Sequence, residues 1–484
     1  MTEGYFDLPR TWQWVPVADA GRVQLGRQRS PQHHTGDHMR PYLRVANVFE
    51  NRIDTRDVLE MNFTPAEAQR YLLEEGDILL NEGQSRELVG RPAMFRGEVP
   101  GACFQNTLVR FRPHEGVTTP EYALGVFRLY LRAGYFQNVC KWTTNIAHLG
   151  AERFAAMPFP LAPLPEQKRI ADKLDALLAR VDACRQRLDR VPAILKRFRQ
   201  SILAAATGGE LTREWREENR ADLGDAENEV SIILDSRRNA LAGQRFKEPP
   251  PPDTQETSIE VPKTWTLASV AAVAECLDSR RVPIKKDLRA RTTGRYPYYG
   301  ANGQVDMVDD YLFDDELVLV TEDETFYGRT KPIAYRSSGR CWVNNHAHVL
   351  RPKDAVWADY LCFSLMYRDV TPWLTGTTGR AKLTQAALNA LPVAVPSSIE
   401  RAEIVRRTRE LLAIADLLER HTAAASRVVE RVTPSTLAKA FRGKLVPQDP
   451  NDEDAAQLLE RLGRGSAKAP TAKPARKRPR RKAS

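Results

Sequence analysis

Apolar residues recur in alternating steps of four and three at Ile170, Leu174, Leu177, Val181, Cys184, Leu188, Val191, Leu195, Phe198 and Ile202. This spacing is a heptad seam, the mark of a helix that lies along another helix. Lys173, Asp175, Arg180, Asp182, Arg185, Arg187 and Lys196 fill the positions between, giving the stretch 165–211 one apolar stripe and one charged flank. About 40 residues rising ~1.5 Å each predict a rod of roughly 60 Å. Such a rod needs a partner of similar length to cover its stripe.

The chain supplies that partner by repeating itself. A shift of about 234 positions brings Ile404, Leu411, Ala415, Leu418, Val429 and Val432 onto the same seam. It also lays Leu411-Leu412-Ala413 on Leu177-Leu178-Ala179, Asp416 on Asp182, Ser435 on Ser201, Gly443 on Gly209 and Leu445 on Leu211. The second copy carries smaller seam residues (Thr408, Thr422, Ala425, Thr436), which predicts close helix approach. Pro192 and Pro434 interrupt the two patterns and predict a bend or break in the distal third of each rod.

Ahead of each rod the period changes. Tyr42-Leu43-Arg44-Val45, Asp77-Ile78-Leu79-Leu80 and Thr107-Leu108-Val109-Arg110-Phe111 are short strand-like runs, with helical patches between them. A second region echoes the first. Val261-Pro262-Lys263-Thr264-Trp265 follows Leu8-Pro9-Arg10-Thr11-Trp12, and Cys341-Trp342-Val343-Asn344 follows Cys103-Phe104-Gln105-Asn106. The chain is therefore globule, helix, globule, helix, with the two globules diverging most in their loops. The run Lys247-Glu248-Pro249-Pro250-Pro251-Pro252-Asp253 predicts a stiff linker before the second globule.

Composition changes this picture little. Nine Lys or Arg and no acid lie in 464–484, so nearly all of the net charge of +10 sits in a tail expected to be disordered. Any nucleic-acid surface on the body must then be a local patch. No stretch is long and apolar enough for a membrane span, and the first residues do not resemble a signal peptide, which predicts a cytoplasmic protein. Six scattered cysteines without a CxxC pair suggest neither a zinc site nor a disulfide framework.

No catalytic constellation emerges. Phosphate-loop and nucleophile-elbow motifs are absent. His33-His34-Thr35-Gly36-Asp37-His38 lies in a polar loop without a second ligand set. His346 and His348 share one face of a predicted strand, a geometry that suits a ligand pair, a base contact or a satisfied core position. Glu322-Asp323-Glu324 resembles a Mg²⁺ carboxylate cluster but has no lysine at nuclease-like spacing. Two loops of the first globule, Asn81-Glu82-Gly83-Gln84-Ser85-Arg86 and Lys141-Trp142-Thr143-Thr144-Asn145, combine residue types that read base edges and grip phosphates. Solvated turns account for the same composition.

The order of globules and rods, with particular motifs, resembles the specificity subunit of type I restriction–modification systems. The motifs are Pro163-Leu164-Pro165-Glu166-Gln167-Lys168-Arg169-Ile170 entering the first rod, Gln200-Ser201-Ile202-Leu203 and Gly208-Gly209-Glu210-Leu211 leaving it, and Phe441-Arg442-Gly443-Lys444-Leu445-Val446-Pro447 leaving the second. Tyr298-Tyr299-Gly300-Ala301-Asn302-Gly303 and Val343-Asn344-Asn345-His346-Ala347-His348-Val349 resemble that family's target recognition domains.

The resemblance implies an α+β chain of two mixed α/β target recognition domains, separated by two long helices packed as an antiparallel coiled coil. The expected bounds are 1–162 and 261–396 for the recognition domains and 163–215 and 397–463 for the helical spacers. A Pro-rich linker at 216–260 and a basic tail at 464–484 complete the chain. The subunit would be non-catalytic and bind no cofactor or metal. It would read a bipartite, asymmetric double-stranded DNA target for two methyltransferase subunits and for restriction subunits, partners that use S-adenosylmethionine, ATP and Mg²⁺. Expected DNA contacts are Gln84, Ser85, Arg86, Lys141, Thr143 and Asn145 in the first globule and Tyr298, Asn302, Arg329, Lys331, Arg380 and Lys382 in the second. Gln167, Arg169, Gln200 and Arg401 are the expected docking residues for partner subunits. The alternative is a coiled-coil scaffold that joins two protein-binding modules without touching DNA.

Overall fold

The computed structural model describes residues 4–143, 146–240, 246–254, 260–289, 294–323, 326–376 and 381–463. Two compact units divide the chain: Met1–Leu188 with Ala424–Ser484, and Asp189–Ala423. Both mix helices with sheets, as the α+β reading expects.

In the first unit the strands Gly21–Leu25, Leu108–Pro113, Ile78–Asn81 and Pro92–Met94 form an antiparallel sheet in that order. Alternate residues of one strand serve two cores: Ile78 and Leu80 join the cluster that holds Phe127, while Leu79 faces Leu43 and Phe104. Burial on both faces explains the unbroken apolar run there. The Pro120–Ala133 helix covers the first face. Thr119 caps it by accepting from the Tyr122 amide, Pro120 occupies the first turn, and Gly134 ends it at φ +78°.

That helix packs on the Leu164–Leu188 helix and on the last turns of the Ser398–Ala440 helix, with Ile170, Leu174, Leu437 and Phe441 in one cluster. A β-carbon on Gly125 would lie 2.8 Å from the tip of the Phe441 ring and 3.3 Å from Leu174. Gly125→Ala is therefore expected to destabilise the first unit by about 1–3 kcal/mol through overpacking, read as a lower urea midpoint in chemical denaturation.

The second unit carries a six-stranded sheet: Ala274–Cys276, Ala347–Pro352, Phe313–Thr321, Ala334–Val343, Tyr296–Gly300 and Gly303–Val308, in that order. Val318 and Val320 face the Ala355–Leu365 helix side, and Leu317 and Leu319 face the opposite core. The duplication is visible side chain by side chain. Tyr122 donates to the Pro160 carbonyl (2.8 Å), and Tyr360 donates to the Ala394 carbonyl (2.7 Å). Those acceptors lie on the strands Pro158–Leu161 and Pro392–Val395, which pair with Gln13–Pro16 and Thr266–Ser269.

Each unit also anchors the start of a long helix through a buried glutamate. In the first, Glu166 accepts from the Trp12 indole (2.9 Å) and from the Gln448 amide. In the second, Glu400 accepts from the Trp265 indole (2.8 Å), the Thr212 hydroxyl (2.7 Å) and Arg216 Nε (2.8 Å). Burial pushes the Glu166 carboxyl above its ordinary range, against the hydrogen bonds that pull it down.

The first rod breaks at its proline, whereas the second is not broken. The first rod divides into Leu164–Leu188 and Val191–Thr207, with Pro192 in the opening turn of the second piece, where its missing N–H is not needed. Pro434 instead lies inside the unbroken Ser398–Ala440 helix. Its neighbours Thr433 and Leu437 are buried, so packing holds the helix across the one backbone bond that proline removes. The seam is buried at Ile170, Leu174, Leu195 and Ile202, half-buried at Leu177, Val181, Leu188 and Val191, and exposed at Cys184 and Phe198.

The stretch before the Pro run is more ordered than its sequence suggests. Ala226–Ala240 is helical and lies on the second unit, with Ile233 buried and Arg237 donating to the Ala271 carbonyl (2.6 Å). Its covered face is a single narrow stripe of Ala226, Val230 and Ile233, while the neighbouring Ile232 is left exposed. Among the described residues no helix is long and apolar enough to cross a membrane.

Candidate nucleic-acid interface

The first unit brings its two candidate loops together although they are about 60 residues apart. Gly83–Gln84 pairs with Ala147–His148, which pairs in turn with Lys141–Trp142, all antiparallel. Glu82 fixes the junction by bonding the His148 ring (3.0 Å). Gln84 turns its Oε1 to the Ser85 amide (3.0 Å) and is half-buried, as is Ser85. Arg86 is exposed, with its guanidinium 5.7 Å from the centre of the Trp142 ring and its carbonyl accepting from Gln137 (2.9 Å). Lys141 and Thr143 are exposed, and the Thr143 amide and hydroxyl both donate to the Ile146 carbonyl at 3.0 Å. Asn145 lies outside the described residues. The sheet thus gathers Gln84, Ser85, Arg86, Lys141 and Thr143 on and beside the two strands that flank Ala147–His148.

In the second unit the strands Tyr296–Gly300 and Gly303–Val308 pair up to Gly300 and Gly303, leaving Ala301 and Asn302 as a two-residue turn. Gly303 takes φ +102°, a conformation that favours glycine. The turn is pinned from behind: Thr321 donates to the Ala301 carbonyl (2.7 Å) and Tyr335 to the Gly300 carbonyl. Arg329 donates to Asn302 Oδ1 (2.8 Å) and to the Pro332 carbonyl (2.9 Å), so two expected contacts are held together. Asn302 and Lys331 are exposed. Arg380 lies outside the described residues.

Three expectations are corrected. Tyr298 is buried, its hydroxyl accepts from the Ile284 amide (3.1 Å), and Arg289 lies 4.5 Å from its ring centre, so it supports the sheet from inside. Gln167 is fully buried: it accepts from the Thr118 hydroxyl (2.8 Å) and the Thr119 amide (3.1 Å) and donates to the Val117 and Ala162 carbonyls, both at 2.9 Å. All four of its bonding positions are used within the unit. Arg401 is also buried, 4.0 Å from the Trp357 ring centre and 3.4 Å from Glu229, so it is not offered as a docking side chain. Arg169 pairs with Asp452 (2.6 Å), and Gln200 is half-buried.

Asp278, Glu322 and His348 place ligand-type atoms within 4.8 Å of one another. The group is a closed ion network. Glu322 pairs with Lys382 (2.7 Å) and Arg281, and Asp278 bonds His348 Nδ1 (2.5 Å) and the Val349 amide (2.9 Å). His348 Nε2 faces the Leu383 carbonyl (2.7 Å). Two cations already neutralise the two carboxylates, which leaves no excess negative charge to attract a metal ion. Of the three readings open for His348, the satisfied core position holds.

Burial works against ionisation of Glu322 and Asp278. Lys382 and Arg281 for Glu322, and His348 for Asp278, nonetheless hold both below the usual carboxylate range. A depressed folded pKa stabilises the protein above the unfolded value of about 4, and that stability is lost as pH falls through the folded one. The second unit should therefore soften on acidification below about pH 4. Lys382→Met, which removes one partner of Glu322, should make that loss shallower in melts recorded across pH.

Sequence reasoning missed the Trp12–Glu166 and Trp265–Glu400 clamps, although each acid opens a repeat at the same relative position. Trp142 also stands exposed among the expected contacts of the first unit. An aromatic in an otherwise polar loop was the available signal.

A family profile described as the type I restriction modification DNA specificity domain matches residues 9–193 and 262–425, and the chain belongs to this family. The chain is 27% identical to the StySPI type I restriction enzyme specificity subunit of Salmonella potsdam, over 94% of this chain and 95% of that protein. With the EcoKI specificity subunit of Escherichia coli (strain K12) the identity is 26% over the same shares. Among solved structures, the HsdS subunit from Thermoanaerobacter tengcongensis aligns with a TM-score of 0.52 at 17% identity, covering 92% of this chain and all (100%) of that one. A chain solved in work on complex assembly and conformational transition of the type I R-M system gives 0.59 at 16% identity, covering 91% and 100%. These two likenesses concern the fold.

Proposed function

We propose that this chain is the DNA specificity subunit of a type I restriction–modification complex: it reads a bipartite, asymmetric duplex target and directs methylation, and cleavage where a nuclease arm is present, by partner subunits. The carrying observation is the duplication. Each unit offers a sheet edge or hairpin turn with exposed polar and basic side chains, and each ties its globule to the start of a long helix through a buried glutamate.

In this reading the two long helices pack antiparallel as a spacer. Support comes from within each unit, where the start of one long helix shares a cluster with the end of the other: Ile170 and Leu174 with Leu437 in the first, Ile404 with Leu203 in the second. Half-sites about one helical turn apart suit two readers on one side of a duplex. Arg86, Lys141, Asn302, Arg329 and Lys331 remain the contacts of choice, with Gln84, Ser85, Thr143 and Lys382 beside them. Arg169 and Gln200 remain for docking two methyltransferase subunits, whose S-adenosylmethionine, and the ATP and Mg²⁺ of restriction subunits, belong to those partners.

Fluorescence anisotropy of the assembled methyltransferase on its target and on random duplex tests the proposal. Target-selective binding that weakens steeply with salt is expected. Equal or absent binding to both duplexes would favour the protein-joining scaffold instead.

A further inference from the structure

The hairpin at the edge of the first unit's small sheet carries apolar side chains that the fold does not use. Trp142 is 48% exposed and Ile146 45%. Trp142 pairs with Ala147, and Thr143 bonds back to Ile146, so the two apolar side chains project to opposite faces of the ribbon. A tryptophan left half in water forgoes much of the burial that stabilises this residue type. Exposed cations flank it: Arg86 lies over its ring and Lys141 precedes it. A ribbon that sets an exposed indole beside exposed cations matches a duplex groove, where phosphates line the rim and base edges form the floor.

The major groove, about 12 Å wide, admits a two-stranded ribbon, and the apolar feature it presents is the thymine 5-methyl group. We propose that Trp142 is a specificity-determining residue whose indole packs on a thymine methyl in the half-site taken by the first unit, with Arg86 and Lys141 on the flanking phosphates. This rests on the DNA-specificity reading above.

The test uses the complete methyltransferase complex and its target duplex, with each thymine of either half replaced in turn by deoxyuridine, which removes only the methyl group. One substitution, confined to one half, should weaken wild-type binding about five- to tenfold. Trp142→Ala should lose a similar factor on the thymine duplex and become indifferent to deoxyuridine at that position, while discrimination in the other half stays intact. If the wild-type complex selects its target but no deoxyuridine matters, or if neither half contains thymine, the inference fails while the DNA reading stands. Loss of complex assembly in Trp142→Ala with the sequence preference unchanged would make the hairpin a protein contact and also overturn it. Absence of any sequence preference in the wild type would be a failure of the DNA reading itself.

Discussion

Glu400→Ala is expected to lower the melting temperature of the full chain by about 10 °C, from a loss of about 3–5 kcal/mol. The carboxylate is fully buried and holds three donors at once: the Trp265 indole, the Thr212 hydroxyl and the Arg216 guanidinium. Truncation leaves all three without their acceptor, one of them charged, inside the protein. Glu166 provides the contrast. Its partners Trp12 and Gln448 are neutral, and the Gln448 amide can turn to present its oxygen. Glu166→Gln should therefore cost only about 1 kcal/mol, whereas Glu400→Gln sets an amide against Arg216, which has no acceptor to offer. Calorimetry of the four proteins checks this order. A Glu400→Ala shift under about 2 °C would remove the clamp from the account.

The largest functional effect is expected at Arg329. Its guanidinium holds Asn302 and the Pro332 carbonyl, so Arg329→Ala frees the exposed turn and deletes a cation beside it. Target-selective binding should fall about 10- to 100-fold, within the span of a good bidentate base contact, with the loss confined to the half-site of the second unit. Arg329→Lys should rescue little, because an ammonium does not reproduce the planar fork. Asn302→Ala should relax one position of the same half while leaving the turn in place. Affinity for target against half-scrambled duplexes separates these outcomes, and equal loss on both halves would mean that Arg329 acts on the whole fold.

Periodicity carried the architecture because long helices and duplicated strands impose spacing on the chain. The heptad seam marked the rods, and the 234-residue shift that superimposes Leu177-Leu178-Ala179 on Leu411-Leu412-Ala413 marked their kinship. Local chemistry was less legible. Tyr298 sits in a polar, glycine-flanked motif that looks like a reader, yet strand alternation turns it inward. Gln167 and Arg401 lie beside charged helix positions that look exposed, but globule loops and the Ala226–Ala240 helix cover them. Such burial is decided by tertiary neighbours far away in sequence. The two loops of the first unit were each visible, while their union on one sheet depends on the pairing of Gly83–Gln84 with Ala147–His148. Pro434 shows the same limit, since packing at Thr433 and Leu437 overrides a local helix breaker.

On the proposed reading, two unlike readers on one chain specify two separated stretches of one duplex. Sequencing the methylated bases of a host genome, with this chain present and with it deleted, reads those two stretches out. A split, asymmetric motif is expected, its two short halves centred about one helical turn apart across a fixed unread gap, and it should vanish on deletion. A single continuous motif, or one that persists without this chain, would contradict that reading.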